Sequence, residues 1–445
     1  MSAYIIRNAR IVNEGTITEG DVYIRNERIE KIAPSVTVPG KAEEIDAKGL
    51  FLLPGAIDDQ VHFREPGLMH KGEIYTEAKA AVAGGITSYM EMPNTVPSAV
   101  TIQKLEEKYS RAAQVSLANY SFYMGTTNSN IEEVKRVDKK TMCGVKIFMG
   151  SSTGDMLVDD PKALEDIFRF SPTIITTHCE DDPMIKLNAA KYKEKYGDHV
   201  PVSMHPLIRS EESCFKSSSF AVGLAKSTGA RLHVLHISTG KELDLFRNDI
   251  PLQDKQITAE ACIHHLWFTD KDYLTKGNLI KWNPAVKTAA DREAIRKAVL
   301  DDRIDVIATD HAPHTREEKS AQYLKAPSGG PLVQHALVAM LDMVKEGWIT
   351  IERVVEKMAH APAVLFRINE RGFIREGYMA DLVLVDPDAP WTVQPSNILY
   401  KCGWSPFEGH SFSSQVKMTF VNGNLVYHHG QFNESVVGQR LMFNR

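Results

Sequence analysis

A chain of 445 residues with 43% hydrophobic and 24% charged side chains has the composition of a folded globular protein, long enough for one barrel-sized domain and a smaller companion. Its formal charge of -5 and lack of any Lys/Arg block exclude a basic field that could track phosphates, so no nucleic-acid partner is expected. No apolar run approaches the roughly 18 residues of a membrane span, and the start MSAYIIRNARIV lacks a signal-peptide core, so the expectation is a cytoplasmic protein without a membrane partner.

The first fifty residues, with YIIRNARIV and GDVYIRNERIEKI, alternate apolar and polar side chains as half-exposed antiparallel strands do. The rhythm then changes. Short apolar runs alternate with helical segments such as 73–85, 105–117, 160–170, 211–230 and 291–302, a pattern of βαβ units closing into a parallel sheet or barrel over about 54–372. A polar stretch at 315–330 is either a mobile flap over a site or an ordinary surface loop. The alternating pattern returns at 380–386 and 415–430, where Asn422-Gly423 between apolar runs marks a hairpin. The two ends, 1–53 and 373–445, are therefore expected to share one small β domain.

Five chemically capable side chains sit at or beside the ends of these apolar runs. They are His62 in AIDDQVHF, Lys146 in CGVKIF, His178 in TIITTHCE, His236 in LHVLHIST and Asp310 in IDVIATDH. Each histidine alone reads as a core imidazole, and Lys146 alone as a lysine snorkelling from an apolar strand. Together they predict a hydrolytic metal centre at the C-terminal ends of barrel strands, with neutral nitrogen donors suited to Zn²⁺ and Asp310 able to bind metal or take a proton. An ammonium among cations is disfavoured, whereas a neutral buried amine reacts with carbon dioxide, so a carbamate on Lys146 would bridge two ions. Arg64, two residues beyond His62, offers a planar fork to a substrate carboxylate or forms a surface ion pair. Asn94 and Asn283 beside prolines are pocket or turn residues, and His314 lies close enough to Asp310 to line the same pocket.

Five scattered cysteines, Cys143, Cys179, Cys214, Cys262 and Cys402, without a CxxC pair, read as free thiols. Cys179 adjoins His178, but strand alternation points it away from a metal shared with that histidine.

HFREPG, MPNTVP, GVKIFMG, THCED, LHVLHIST, NPAVKT, ATDHAPH and the closing WSPFEG occur in the order seen in the amidohydrolase superfamily, and this set resembles its dihydroorotase family over nearly the whole chain. The resemblance implies an α/β fold, a distorted TIM barrel with a β-sandwich built from both termini, and a homodimer. It implies His62, Lys146 as its carbamate, His178, His236 and Asp310 as metal ligands, and Arg64, Asn94, Asn283 and His314 as substrate contacts. The reaction implied is reversible cyclisation of N-carbamoyl-L-aspartate to L-dihydroorotate, with Asp310 passing a proton to the departing nitrogen. Gln60-Val61-His62 departs from the family's HxH, so one zinc is expected and a second position weakened, Gln60 either ligating or only hydrogen-bonding. The stretch Ala326-Pro327-Ser328-Gly329 departs in a lesser way. The rival readings are another cyclic amidase, of allantoinase or hydantoinase type, and a catalytically silent relative acting as a scaffold.

Overall fold

The computed structural model describes residues 3–150 and 156–445; residues 1–2 and 151–155, inside the two predicted domains, lie outside the described residues. Strands Ala56–Val61, Ile86–Glu91, Asn119–Phe122, Val145–Met149, Ile175–Cys179, Leu232–Val234, Ile257–Cys262 and Val306–Ala308 follow one another in chain order. Their neighbours pair in parallel, Met124–Gly125 continuing the third strand alongside the fourth. The ring closes where the His62 N–H donates to the His311 carbonyl at 2.7 Å. Every residue of Ala56–Val61, Ile86–Glu91 and Ile175–Cys179 is buried, which is why these runs carry no polar alternation.

Helices Ile74–Ala83, Ile102–Val115, Pro161–Phe170, Glu211–Thr228 and Ala289–Leu300 occupy the five segments predicted. Their starts carry their own signals. The Thr101 side chain accepts from the Lys104 N–H, Asp160 caps the turn that begins with Pro161, and Thr288 with Asp291 forms a capping box. A further helix, Asp182–Tyr196, buries only Ile185 and so leaves no apolar stripe to read in the sequence. No helix of the described residues is long and apolar enough to cross a membrane.

Both ends of the chain enter one nine-stranded sheet, the core of the β-sandwich that flanks the barrel. Phe51–Pro54 joins the halves, pairing parallel with Ala3–Asn13 and antiparallel with Leu382–Asp386. Period-2 alternation sorts its faces. Leu52, Leu382 and Leu384 pack with Ile6, Ile24 and Phe420 in the small domain's core, while Leu53, Val383 and Val385 pack into the barrel's core. Gln415–Val421 and Asn424–His428 form the hairpin predicted around Asn422-Gly423. Asn422 and Gly423 both have positive φ, 49° and 71°, as a type I′ turn requires.

Candidate active site

A parallel barrel directs the C-terminal ends of all its strands to one rim, so polar residues placed there converge. His62, Arg64, Asn94, Lys146, His178, His236, Asn283, Asp310 and His314, with Gln60, line a single cavity of about 390 Å³. Cavities of about 490 and 570 Å³ elsewhere are larger, but most of their charged residues already hold ion pairs, as in Lys357–Asp302 and Lys216–Asp181.

The nitrogen and oxygen donors fall into two pairs. His178 Nδ1 and His236 Nε2 face each other at 3.0 Å, and His62 Nε2 lies 3.2 Å from Asp310 Oδ1. Each pair has a partner behind it. Glu180 accepts from His178 Nε2 at 2.8 Å, which leaves the Nδ1 lone pair turned into the cavity. Asn94 Oδ1 lies 2.7 Å from His62 Nδ1 and, as an acceptor, takes its proton, freeing Nε2 toward Asp310. Burial lowers the basicity of His62, His178 and His236, so all three are neutral donors at pH 7. Glu180, despite burial, is held at about 2 by Arg209 and His178 and keeps its charge.

Lys146 Nζ is buried without a hydrogen-bond partner, and burial pulls its ammonium from 10.5 down to about 8. His62, His178, His236 and Asp310 all interact with it electrostatically. Three neutral imidazoles, a carboxylate and an unpartnered amine form a donor set that fits divalent metal binding.

Burial pushes the Asp310 carboxyl up to about 7 although Lys146, His178 and Arg64 all oppose it. Gln60 donates from Nε2 to Asp310 Oδ1 at 3.1 Å, while Gln60 Oε1 faces the Cys262 thiol at 3.8 Å. Its amide oxygen is thus turned from the carboxylate, the arrangement of a hydrogen-bonding residue. Asp58, one step deeper on the same strand, accepts from the Thr309 hydroxyl at 2.6 Å and does not line the cavity. Cys179 turns away as alternation requires, its thiol 3.2 Å from Thr177 Oγ1. Arg64, His236 and Asp310 have φ of 71°, 40° and 48°, a backbone strain of roughly 1–3 kcal/mol each that the surrounding packing must sustain.

Arg64 is 7% exposed, and among the described residues no carboxylate comes within ion-pair distance of it. Its Nε donates to the Pro313 carbonyl at 3.0 Å, and burial pulls the guanidinium to about 10, still charged at neutrality. His314 beside it is neutral by burial. Lys71 Nζ lies 3.1 Å from its Nδ1, while Arg64 Nη2 at 3.1 Å and the Ser328 carbonyl at 3.0 Å both approach its Nε2. Residues 327–329 of the 315–330 stretch line the cavity. The helix Arg316–Lys319 of this stretch and residues 327–329 are tied down by Lys319 Nζ, which donates to the carbonyls of Lys281, Pro327 and Gly329.

Residues 51–426 match the amidohydrolase family. The chain belongs to this family. It is 32% identical to a dihydroorotase of Halobacterium salinarum over 430 residues, covering 94% of this chain and 96% of that protein. An allantoinase of Bacillus velezensis is 29% identical over 96% of this chain and 94% of its own length. The L-hydantoinase (dihydropyrimidinase) of Arthrobacter aurescens superimposes with a TM-score of 0.93 at 26% identity, covering 99% of this chain and 100% of that one.

Several residues in or behind this amidohydrolase cavity escaped the sequence reading. Lys71 arrives because the turn after Arg64 folds back, the Leu68 N–H donating to the Arg64 carbonyl and the Lys71 N–H to Leu68. Glu180 had a readable signal, lying two residues after His178 just past the end of the same strand. Trp404 of the closing WSPFEG reaches the site through its indole N–H, which donates to the His314 carbonyl at 2.7 Å.

Proposed function

We propose that this amidohydrolase is a dihydroorotase, cyclising N-carbamoyl-L-aspartate to L-dihydroorotate and reversing that step. One observation carries the choice among cyclic amidases: a buried guanidinium, Arg64, faces the cavity with no carboxylate of the described residues to pair with it. A charge so placed wants an anionic ligand, and dihydroorotate carries a carboxylate where hydantoin and allantoin rings carry none.

In this reading His62, His178, His236, Asp310 and the carbamate of Lys146 hold the metal, zinc being the ion the imidazole-rich set favours. When bound, the metal supplies a nucleophilic water at neutral pH and polarises the amide carbonyl. Arg64 binds the substrate carboxylate, and Asn94 contributes its remaining amide N–H. Asn283 and His314 bound the ring, with Lys71 and Arg64 holding the His314 imidazole from its two nitrogens. Gln60 occupies Oδ1 of Asp310 and leaves Oδ2 to carry a proton to the ring nitrogen as its C–N bond breaks. Domain limits at 53/54 and 372/373, a homodimer and a cytoplasmic location belong to the same proposal, and light scattering tests the dimer.

Hydrolysis of L-dihydroorotate, hydantoin and allantoin by the purified protein, each with and without a chelator, tests the reading. Chelator-sensitive turnover of dihydroorotate well above the other two is expected. Preference for an uncharged ring would hand the site to another cyclic amidase, and no turnover of any ring would make the protein a silent scaffold.

A further inference from the structure

Directly beneath the cavity, three barrel strands bring together a second set of donors that the proposed reaction does not use. Asp59 from Ala56–Val61, His233 from Leu232–Val234 and Glu260 from Ile257–Cys262 are each 0% exposed. Asp59 Oδ2 lies 3.2 Å from His233 Nε2, Glu260 Oε2 lies 3.9 Å from the same nitrogen, and the three donor atoms fall within 4.8 Å of one another. Four atoms here are buried without a hydrogen-bond partner: both oxygens of Asp59, His233 Nε2 and Glu260 Oε2. A buried polar group left unpaired is costly, and four converging on one point call for a shared partner.

The hydrogen bonds behind these atoms fix their character. The Thr258 hydroxyl donates to the Leu232 carbonyl at 3.3 Å, so its oxygen is an acceptor for His233 Nδ1–H at 2.8 Å. A neutral His233 therefore turns a lone pair, not a proton, toward Asp59. Glu260 Oε1 is already occupied by the His236 N–H at 2.9 Å and the Cys262 thiol at 3.2 Å, which leaves Oε2 for the cluster. Among the described residues, His233 is the sole cation-capable side chain within 4.0 Å of either carboxylate. A proton shared with His233 satisfies one contact and leaves the others open. A divalent cation satisfies all four atoms and cancels both negative charges.

We infer that Asp59, His233 and Glu260 form a structural divalent-cation site beneath the catalytic cavity, with Asp59 bidentate and zinc as the ion its nitrogen and oxygen donors best suit. Zinc–donor distances of about 2.1 Å place tetrahedral donors roughly 3.4 Å apart, so Glu260 Oε2, 3.9 Å from His233 Nε2, draws inward on filling. The ion ties three strands together. Through the other oxygen of Glu260, it also braces the backbone of His236.

The test is metal content per chain, measured by plasma mass spectrometry on protein produced with zinc in the medium. Three proteins are compared: wild type, Asp59→Asn, and Lys146→Ala/His178→Ala, in which the cavity's own donors are broken. Asp59→Asn is expected to hold one ion fewer than wild type, and the double variant to retain one ion that adding Asp59→Asn removes. Equal metal content in wild type and Asp59→Asn would overturn the assignment and leave a shared proton in the cluster. A double variant that folds but carries no ion would overturn it independently, even if the Asp59 variants fail to fold.

Discussion

Replacing Lys146 by Met should make the metal-free protein more stable while destroying its activity. The Lys146 ammonium, 1% exposed and without a hydrogen-bond partner, falls from 10.5 to about 8 on folding because burial strips its hydration. At 1.36 kcal/mol per pH unit, carrying that charge into the folded state costs roughly 3 kcal/mol below about pH 8. The sign follows from the order of the two values. The folded state is the weaker proton binder, so the penalty is constant below about 8, shrinks between about 8 and 10.5, and vanishes above. Methionine keeps the length of the side chain and removes the charge. Unfolding 445 residues releases about 0.9 kcal/mol/K of entropy, so the gain corresponds to about 3 °C in Tm at pH 7.

The assay is thermal melting of chelator-stripped wild type and Lys146→Met in carbonate-free buffer from pH 6 to 10.5. Lys146→Met should melt higher at pH 6–8 and converge with wild type near pH 10.5. Zinc alone should shift both proteins alike through the ion held by Asp59, His233 and Glu260, and adding bicarbonate should then raise the wild-type Tm further and leave the variant unmoved. A variant that melts no higher at pH 7, or whose advantage is the same at pH 10.5, would refute the view that Lys146 is a liability awaiting modification.

Arg64→Met should lower kcat/KM for dihydroorotate by about 2–5 kcal/mol, the range for truncating one partner of a buried charge pair, and spare turnover of any uncharged ring tested beside it. Asp310→Asn should abolish turnover. Because burial raises the Asp310 carboxyl from 3.8 to about 7, its ionised form strains the metal-free fold above that value, so Asp310→Asn should raise the metal-free Tm at pH 8 and not at pH 4. This is the reverse of the Lys146→Met pH window, and a Tm gain at pH 4 would contradict it. Gln60→His exchanges the donor to Asp310 Oδ1 for an imidazole, so it should tighten the weaker of the two cavity metal positions in a zinc titration; two equally tight ions in wild type and variant would show the position to be indifferent to this residue.

Much of the site was legible because barrel geometry turns chain order into space. A polar residue at the end of an all-apolar run lies at one rim, so His62, His178, His236 and Asp310 could be placed before any contact was known. The β-sandwich was legible for a similar reason: period-2 alternation at both ends and an Asn-Gly turn are local signals. What stayed hidden depends on lateral register or on returns of the chain. Lys71 sits in HKGE, an unremarkable surface string, and enters the cavity only because the turn after Arg64 folds back. The 315–330 stretch reads as polar loop, yet Lys319 turns inward to bond three carbonyls, a use of lysine that composition reports as solvent exposure.

Asp59, His233 and Glu260 show the same limit most sharply. Each is an isolated polar residue inside an apolar strand, and period 2 fixes which face it shares but not which neighbours it meets. Their meeting is set by the pairings Leu232↔Ile257 and His233↔Thr258 and by closure of the barrel across the first strand. A slip of one residue in the His233 register would send its imidazole to the outer face and leave two carboxylates buried without a counter-charge. The cluster therefore penalises every wrong register of these strands, and a bound ion would deepen that penalty by rewarding only the pairing in which all three donors converge. On this reasoning the same residues that hold an ion beneath the cavity also help to specify the strand alignment that brings His236 opposite His178 above it.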